Sequence, residues 1–331
     1  MNCSVIASLH GSDLKVKLLG DKQRKWRKKK LASLRVADAY ETLKFKKKAF
    51  RCRDCGSLLE FEECTQDGFR RLVAANFCKL RLCPTCSWRR SLRLAMEATR
   101  LLHAAVEKYQ SWSFILLTLT QRNVSPKSLH IEVSKILKGW AKLTKAKDFS
   151  SIKGYLRVLE ITHNDSTGEW HPHLHCLLFV PPSYFTHGYV SQKKWSNLWK
   201  EAMQLDYDPV VWVSKVSKVK GKRSLEGAAQ EVGKYTLKDA DVLGRNKDED
   251  VERVRVLDKA LHGRRLFSLG GVLREIAKEI KTELEPKDLV NVQTESCPTP
   301  SCPICGSGLV KSIYAWIDSL RDYVLFENHK N

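Results

Sequence analysis

His173 and His175 flank Leu174 in the run His171-Pro172-His173-Leu174-His175-Cys176-Leu177-Leu178-Phe179-Val180, whose composition is that of a β-strand. Side chains alternate along a strand, so the two imidazoles emerge on one face, about 7 Å apart at ~3.3 Å per residue, close enough to share one cation. Leu174, Cys176, Leu178 and Val180 then point to the opposite face, where an apolar core anchors the strand. His171 falls on the ligand face too, with Pro172 expected to mark the start of the strand. In the run Tyr155-Leu156-Arg157-Val158-Leu159-Glu160-Ile161-Thr162, Glu160 shares a face with Leu156, Val158 and Thr162. A carboxylate on a buried strand face needs a partner. A turn containing Asn164, Asp165 and Gly168 leads back to the histidines, so the two strands are expected to be adjacent and antiparallel. Glu160 then either completes a two-histidine, one-carboxylate site for a divalent ion or pairs with a lysine or arginine.

Residues 225–238 read as a helix on which Glu231 and Tyr235 stand four apart on one face, flanked by Lys234 and Lys238. Only ~0.1% of an ordinary tyrosine is phenolate at neutral pH. Attack by Tyr235 on a phosphate therefore calls for a Lewis-acidic ion on the phosphate and for ammonium groups such as Lys238 that favour the phenolate. An E-x-x-x-Y spacing alone is common on exposed helices; the histidine strand is what gives it chemical meaning.

The chain has 11 cysteines, mostly in C-x2-C pairs, and the odd total leaves at least one unpaired. Metal binding in a reducing compartment fits this pattern better than a disulfide framework. Cys52-x2-Cys55 and Cys83-x2-Cys86 supply four thiolates, enough for a closed tetrahedral Zn2+ site whose role is folding and not chemistry. Cys78 and Cys64 compete for one of those places. Cys297-x4-Cys302-x2-Cys305 copies the spacing of Cys78-x4-Cys83-x2-Cys86, and a second site there needs a fourth ligand such as His329 or Cys64.

The elements that must position these groups follow from composition and periodicity. The 331 residues carry 58 Lys and Arg against 37 Asp and Glu, a net charge of +21, which points to a polyanionic partner and first of all to nucleic acid. No apolar run is long enough to span a bilayer and no signal-peptide core is evident, so the cytoplasm is the expected location. Residues 1–50 read as a basic, weakly structured arm with lysine clusters at 22–30 and 44–48 that can touch phosphates. Residues 51–110 read as the zinc-binding module with a helix over 87–110, residues 111–285 as the catalytic domain, and residues 286–331 as a cysteine-containing tail. Strands at 114–120, 155–162, 173–180 and 210–216 alternate irregularly with helices at 129–143, 193–203 and 225–238. That order predicts an α+β domain with a central, mainly antiparallel sheet flanked by helices. Trp195, Trp199 and Trp212 either stack on unpaired bases or, for the first two at helical spacing, belong to the core.

The assembled motifs resemble the rolling-circle plasmid replication initiators of the HUH endonuclease superfamily, in its single-tyrosine branch. The match is carried by Leu117-Thr118-Leu119-Thr120, by His171-Pro172-His173-Leu174-His175 and by Glu231-Val232-Gly233-Lys234-Tyr235-Thr236-Leu237-Lys238, in that order. Phe77-Cys78-Lys79-Leu80-Arg81-Leu82-Cys83-Pro84-Thr85-Cys86 supports it, and the resemblance runs over residues 52–271. It implies an HUH domain that nicks and rejoins plasmid origin DNA, single-stranded at the nick. It implies that Tyr235 forms a 5′-phosphotyrosyl bond and frees a 3′-hydroxyl, which a host polymerase extends while a helicase displaces the old strand. The ligands it implies for Mg2+ or Mn2+ are His173, His175 and Glu160, and Glu231 occupies the position that activates water at termination. Two other readings share some of these features. An HUH transposase or relaxase would use the same tyrosine chemistry, and a zinc-dependent DNA-binding regulator would form no covalent adduct and ignore divalent ions.

Overall fold

The structure is a computed structural model that describes residues 19, 24–216, 224–234, 237–282, 284, 289–290 and 301–330, without the side chains of 234 and 327–330. In chain order the first elements are α1 (Arg24–Thr42), α2 (Lys46–Asp54), β1 (Leu58–Glu63), β2 (Arg70–Ala75), α3 (Pro84–Lys108), β3 (Ser113–Leu119), α4 (Leu129–Leu143), β4 (Gly154–Asn164) and β5 (Glu169–Val180). They continue as α5 (Gln192–Met203), β6 (Val211–Lys215), α6 (Leu225–Lys234), α7 (Asp239–Val242), α8 (Lys247–Leu261), β7 (Phe267–Gly271), α9 (Val272–Glu279), β8 (Val310–Ile317) and β9 (Asp322–Lys330).

The chain divides into two compact units, each assembled from separated segments. This differs from the four consecutive regions expected from the sequence. The first unit comprises Met1–Leu31, Gly56–Asn76 and Cys297–Asn331. Its sheet has the order β2-β1-β8-β9 with every neighbouring pair antiparallel. Leu59 and Phe61 of β1 and Tyr314 and Trp316 of β8 are buried at alternate positions, the half-buried pattern of a sheet with one packed face. Trp26 closes on Phe61 edge to face, and Tyr323 donates its hydroxyl hydrogen to the Gly56 carbonyl at 2.6 Å. Residues 286–331 are thus not simply a tail: β8 and β9 form a hairpin that pairs with β1.

The arm expected over residues 1–50 is likewise corrected from Arg24 onward, where α1 and α2 stand. In the second unit, Val36, Ala37 and Tyr40 are buried between the lysine-rich stretches that dominate the composition. Apolar burial at those few positions, worth about 1.5–3 kcal/mol for each large side chain, outweighs the charge runs. Lys48 and the Tyr40 hydroxyl both donate to Asp258, at 2.7 and 3.0 Å, and fasten α1 and α2 to α8.

The second unit comprises Ala32–Cys55 and Phe77–Ser296. Its five-stranded sheet has the order β6-β3-β5-β4-β7, antiparallel throughout, which bears out the α+β class and the antiparallel sheet. The β4–β5 hairpin sets Glu160 opposite His173 and Val158 opposite His175. Its turn is held by Asn164, whose side-chain oxygen accepts from the Ser166 amide at 2.9 Å, and by Gly168 at φ +71°. Pro172 lies inside β5, not at its start. Pairing with β3 ends at Leu174, so Pro172 has a neighbouring strand on one side only, where a missing N–H is tolerated. Trp140 of α4 meets Tyr155 edge to face on one face of the sheet, while Tyr109 and Trp112, just after α3, pack on Phe179 on the other. The second face is the one that carries Glu160, His173 and His175. Among the described residues no helix is long and apolar enough to cross a membrane.

Candidate metal and nucleophile site

Glu160, His173 and His175 are buried, with 6%, 8% and 8% of their surfaces exposed, on the central strand β5 and its neighbour β4. The Nε2 atoms of both histidines lie 3.0 Å from Glu160 Oε2. His173 Nδ1 is 3.0 Å from the His171 carbonyl oxygen, which can only accept, so Nδ1 carries a proton and a neutral His173 presents a lone pair at Nε2. That lone pair then faces a carboxylate oxygen, also an acceptor. Two acceptors at this separation call for a shared proton or a cation, and the two-imidazole, one-carboxylate set suits a divalent ion. His175 Nδ1 lies 3.2 Å from Thr118 Oγ1, which orients the ring from β3. Burial lowers the His175 pKa and favours the neutral form that a ligand requires.

The other carboxylate oxygen, Glu160 Oε1, accepts from Lys238 Nζ at 2.6 Å. The two partners left open for Glu160 by the sequence are therefore both present, one on each oxygen. Burial opposes the charge on Glu160, yet the contacts with His173, His175 and Lys238 outweigh it and hold the carboxyl well below the usual carboxylate range. For Lys238, burial is likewise outweighed by the bond to Glu160, and its pKa is raised.

The expected helix over 225–238 is shorter in the structure. The described part of α6 ends at Lys234, and Lys238 is extended, with φ −78° and ψ 147°, at the N-terminus of α7. That conformation lets its side chain reach across to β4. Tyr235, the expected nucleophile, and Thr236 lie outside the described residues. Glu231 is on α6, near enough to His175 and Lys238 that its charge favours their protonated forms. Helix α6 packs closely on α3: a Cβ added at Gly233 would stand 2.6 Å from Ala95 Cβ and 3.0 Å from the Ser91 carbonyl oxygen. Gly233→Ala is therefore expected to cost about 1–2 kcal/mol, overpacking exceeding the helix preference of alanine, and to lower the urea midpoint at unchanged slope.

Sequence reading missed the supporting polar groups. Thr118 belongs to the Leu-Thr-Leu-Thr run but had no stated partner, and Asn123 Oδ1 lies 3.0 Å from His171 Nδ1. A cleft of about 700 Å³ opens beside His171, lined also by Thr120, Asn123, Tyr207, Asp208 and Val210. The Arg122 guanidinium sits over the Tyr207 ring, 4.0 Å from its centroid. Trp195 and Trp199 are fully buried and belong to the core, whereas Trp212 is exposed.

Among the described residues, most of the thiols gather in two groups. Cys55, Cys78, Cys83 and Cys86 bring their sulfur atoms within 4.8 Å of one another. Amide hydrogens point at them: Cys78 N donates to Cys55 Sγ at 3.3 Å and Lys79 N to Cys86 Sγ at 3.2 Å. Contacts with the Cys52 and Cys55 thiols bring the Cys78 pKa down to about 5, while neighbouring thiols and burial push those of Cys55 and Cys86 up, as expected of crowded thiols sharing protons. Cys78, expected as the alternative ligand, joins this quartet. Cys52 adjoins it from α2, its thiol turned 3.3 Å from the Ser33 carbonyl oxygen. Cys64 lies in the other group, with Cys302 and Cys305, while Cys297 is outside the described residues.

Comparison with known proteins places the chain in a family. The replication protein family model Rep_1 matches residues 69–298. The Protein rep of Lentilactobacillus hilgardii is 40% identical over 279 residues, covering 83% of this chain and 88% of that protein. The Protein rep of Bacillus amyloliquefaciens is 36% identical over 337 residues, covering 95% and 97%. The Replication protein of Staphylococcus aureus is 31% identical over 210 residues, covering 62% and 89%. No solved structure matches the chain. The chain belongs to the Rep_1 replication protein family.

Proposed function

We propose that this protein initiates plasmid rolling-circle replication by nicking and rejoining one strand of origin DNA through an HUH-type site. The observation that carries this reading is the convergence of two imidazole nitrogens on one buried carboxylate, with a lysine on that carboxylate's other oxygen. His173, His175 and Glu160 would hold Mg2+ or Mn2+. A divalent ion bound there would draw charge from the scissile phosphate. The phenolate oxygen of Tyr235 attacks phosphorus, the bond to the 3′-oxygen breaks, and that oxygen takes a proton and leaves as a 3′-hydroxyl. The 5′-phosphate remains on the tyrosine, so a later 3′-hydroxyl can reverse the attack and close a circle. Lys238 neutralises Glu160 and adds positive potential beside the reacting phosphate. The cleft of about 700 Å³ lined by His171 and Tyr207 is the proposed seat of the single strand, and the net charge of +21 supports its capture. A replication role is favoured over a transposase or relaxase by the names of the relatives. Cys55, Cys78, Cys83 and Cys86 would bind a structural Zn2+, with Cys52 in reserve.

The reading is tested by mixing the protein with single-stranded oligonucleotides that tile its plasmid, in the presence of Mn2+. A covalent adduct on one oligonucleotide that maps to Tyr235 is expected; no adduct on any of them would leave a non-catalytic DNA-binding regulator.

Glu231 should separate initiation from termination. Ending a round needs a second cleavage while Tyr235 is still esterified, and a carboxylate four positions before it in the chain can take a proton from water for that step. Glu231→Ala is expected to make the first nick and adduct at a rate near wild type while releasing displaced strands longer than one unit. Unit-length circles at wild-type yield would remove Glu231 from the mechanism and leave it a surface residue worth under about 0.5 kcal/mol.

A further inference from the structure

In the first unit the turn between β1 and β2 and the segment leading into β8 lie side by side, because Glu63 at the end of β1 pairs with Val310 at the start of β8. The two segments have the same construction. Cys64 and Asp67 are separated by two residues, as are Cys302 and Cys305. In each segment the amide two residues beyond the first cysteine donates back to its sulfur, Gln66 N to Cys64 Sγ and Ile304 N to Cys302 Sγ, both at 3.4 Å. Backbone bonds close both turns: Cys64 N donates to the Phe69 carbonyl at 2.8 Å and Cys302 N to the Ser307 carbonyl at 2.7 Å. Gly306, at φ +74°, takes the left-handed conformation that the second turn requires.

Between the turns the side chains meet. Cys64 Sγ and Cys305 Sγ are 3.5 Å apart, and the Cys302 thiol lies 2.9 Å from Asp67 Oδ2. All four donor atoms fall within 4.8 Å of one another. Ligands around a tetrahedral zinc with bonds of ~2.3 Å stand about 3.8 Å apart, so the cluster is of the right size. The plain alternative is that the cysteines serve as small apolar side chains, and Cys64 and Cys302 are indeed buried with Leu309. That alternative leaves two observations without a cause. Cys305 and Asp67 are exposed, yet both turn toward the buried sulfurs, and two amide hydrogens are spent on sulfur atoms where water or carbonyl groups would be better acceptors.

We propose that Cys64, Asp67, Cys302 and Cys305 form a structural Zn2+ site that clips together two segments of the first unit. The thiolate-rich donor set selects zinc over Mg2+ or Ca2+, and four protein ligands leave no position open for chemistry. Asp67 and Cys302 are 235 positions apart in the chain, and among the described residues the apolar cluster around them comprises Cys64, Cys302, Leu309 and Phe69, so metal binding would add a cross-link to a small core. The site is separate from the quartet of Cys55, Cys78, Cys83 and Cys86 and does not depend on the catalytic reading.

The exposed Cys305 provides the test, since burial cannot shield it. Full-length protein with its metal retained is treated with N-ethylmaleimide under native conditions, before and after a strong chelator, and the labelled cysteines are mapped by mass spectrometry. Cys305 is expected to be labelled at least tenfold faster after chelation. Zinc counted by native mass spectrometry should fall by one per chain in Cys302→Ser. Asp67→Cys should keep both the metal and the protection of Cys305, whereas Cys83→Ser should lose zinc while Cys305 stays protected. Equal labelling of Cys305 before and after chelation of wild-type protein would overturn the proposal, as would an unchanged zinc count in a folded Cys302→Ser. The wild-type labelling decides the matter even if Cys302→Ser fails to fold.

Discussion

Tyr235→Phe is expected to bind origin DNA as tightly as the wild type, and neither to cut it nor to become attached to it. Phenylalanine keeps the aromatic ring and removes only the hydroxyl, so binding that depends on phosphates and stacked bases is retained. The attacking oxygen is gone, and activity should fall to the background of the uncatalysed reaction, by about 10³-fold or more. A gel shift with an origin oligonucleotide, run beside a denaturing gel that reports covalent adduct, reads both properties on one sample. Persistent adduct would transfer the role to another tyrosine. The first to examine are Tyr189, which is exposed, and Tyr207, whose hydroxyl accepts from the Arg122 amide at 2.9 Å beside the cleft.

His173→Ala and His175→Ala should each abolish cleavage while the domain stays folded. Either change removes one of the two nitrogens that converge on Glu160, and with it the affinity for the divalent ion. Loss of several kcal/mol of charge stabilisation at the phosphate corresponds to roughly 10³-fold in rate. The fold should survive because the opposite face of β5, formed by Leu174, Cys176, Leu178 and Val180, keeps its burial. Circular dichroism and a single-turnover nicking assay on the same preparations check the two halves of the expectation. Chelating the divalent ion should stop the wild type reversibly, with either Mg2+ or Mn2+ restoring it. Cys83→Ser should behave in the opposite way, with lower stability and zinc content but residual nicking while the protein remains folded. A histidine variant that cleaves at the wild-type rate would assign the Glu160 cluster to structure alone.

Part of this molecule was legible from local sequence because a single strand or helix carries its own period. Residues 129–143 were read as a helix and α4 has those bounds; the strand with the two histidines and its partner with Glu160 were read from alternation, and their pairing from the turn at Asn164 and Gly168. The Rep_1 match over residues 69–298 spans the local motifs that pointed to replication initiators. In the first fifty residues local reading failed for a physical reason. Abundant lysine hid the few positions, such as Val36 and Tyr40, whose burial makes α1 part of a core.

What the sequence determined by itself was therefore the chemistry available: two imidazoles on one strand face, a carboxylate on the next strand, paired thiols, and a strongly basic chain. Only the tertiary structure decided how these groups are shared. Lys238 was read as a helical neighbour of Glu231 whose ammonium favours the Tyr235 phenolate; standing outside α6, it takes one oxygen of Glu160 and leaves the other to the histidines. The sequence favoured Cys52, in its C-x2-C pair, with Cys78 as a rival, and the closing of the turn at residues 78–86 onto Cys55 is what brings Cys78 into the quartet. Asp67 gave no sign beyond its cysteine-like spacing from Cys64, because Cys302 and Cys305 are more than 200 positions away and meet it only when β8 pairs with β1. Periodicity reports which face a residue occupies within its own element; which distant residue shares that face is set by strand pairing and burial, and no local pattern encodes it.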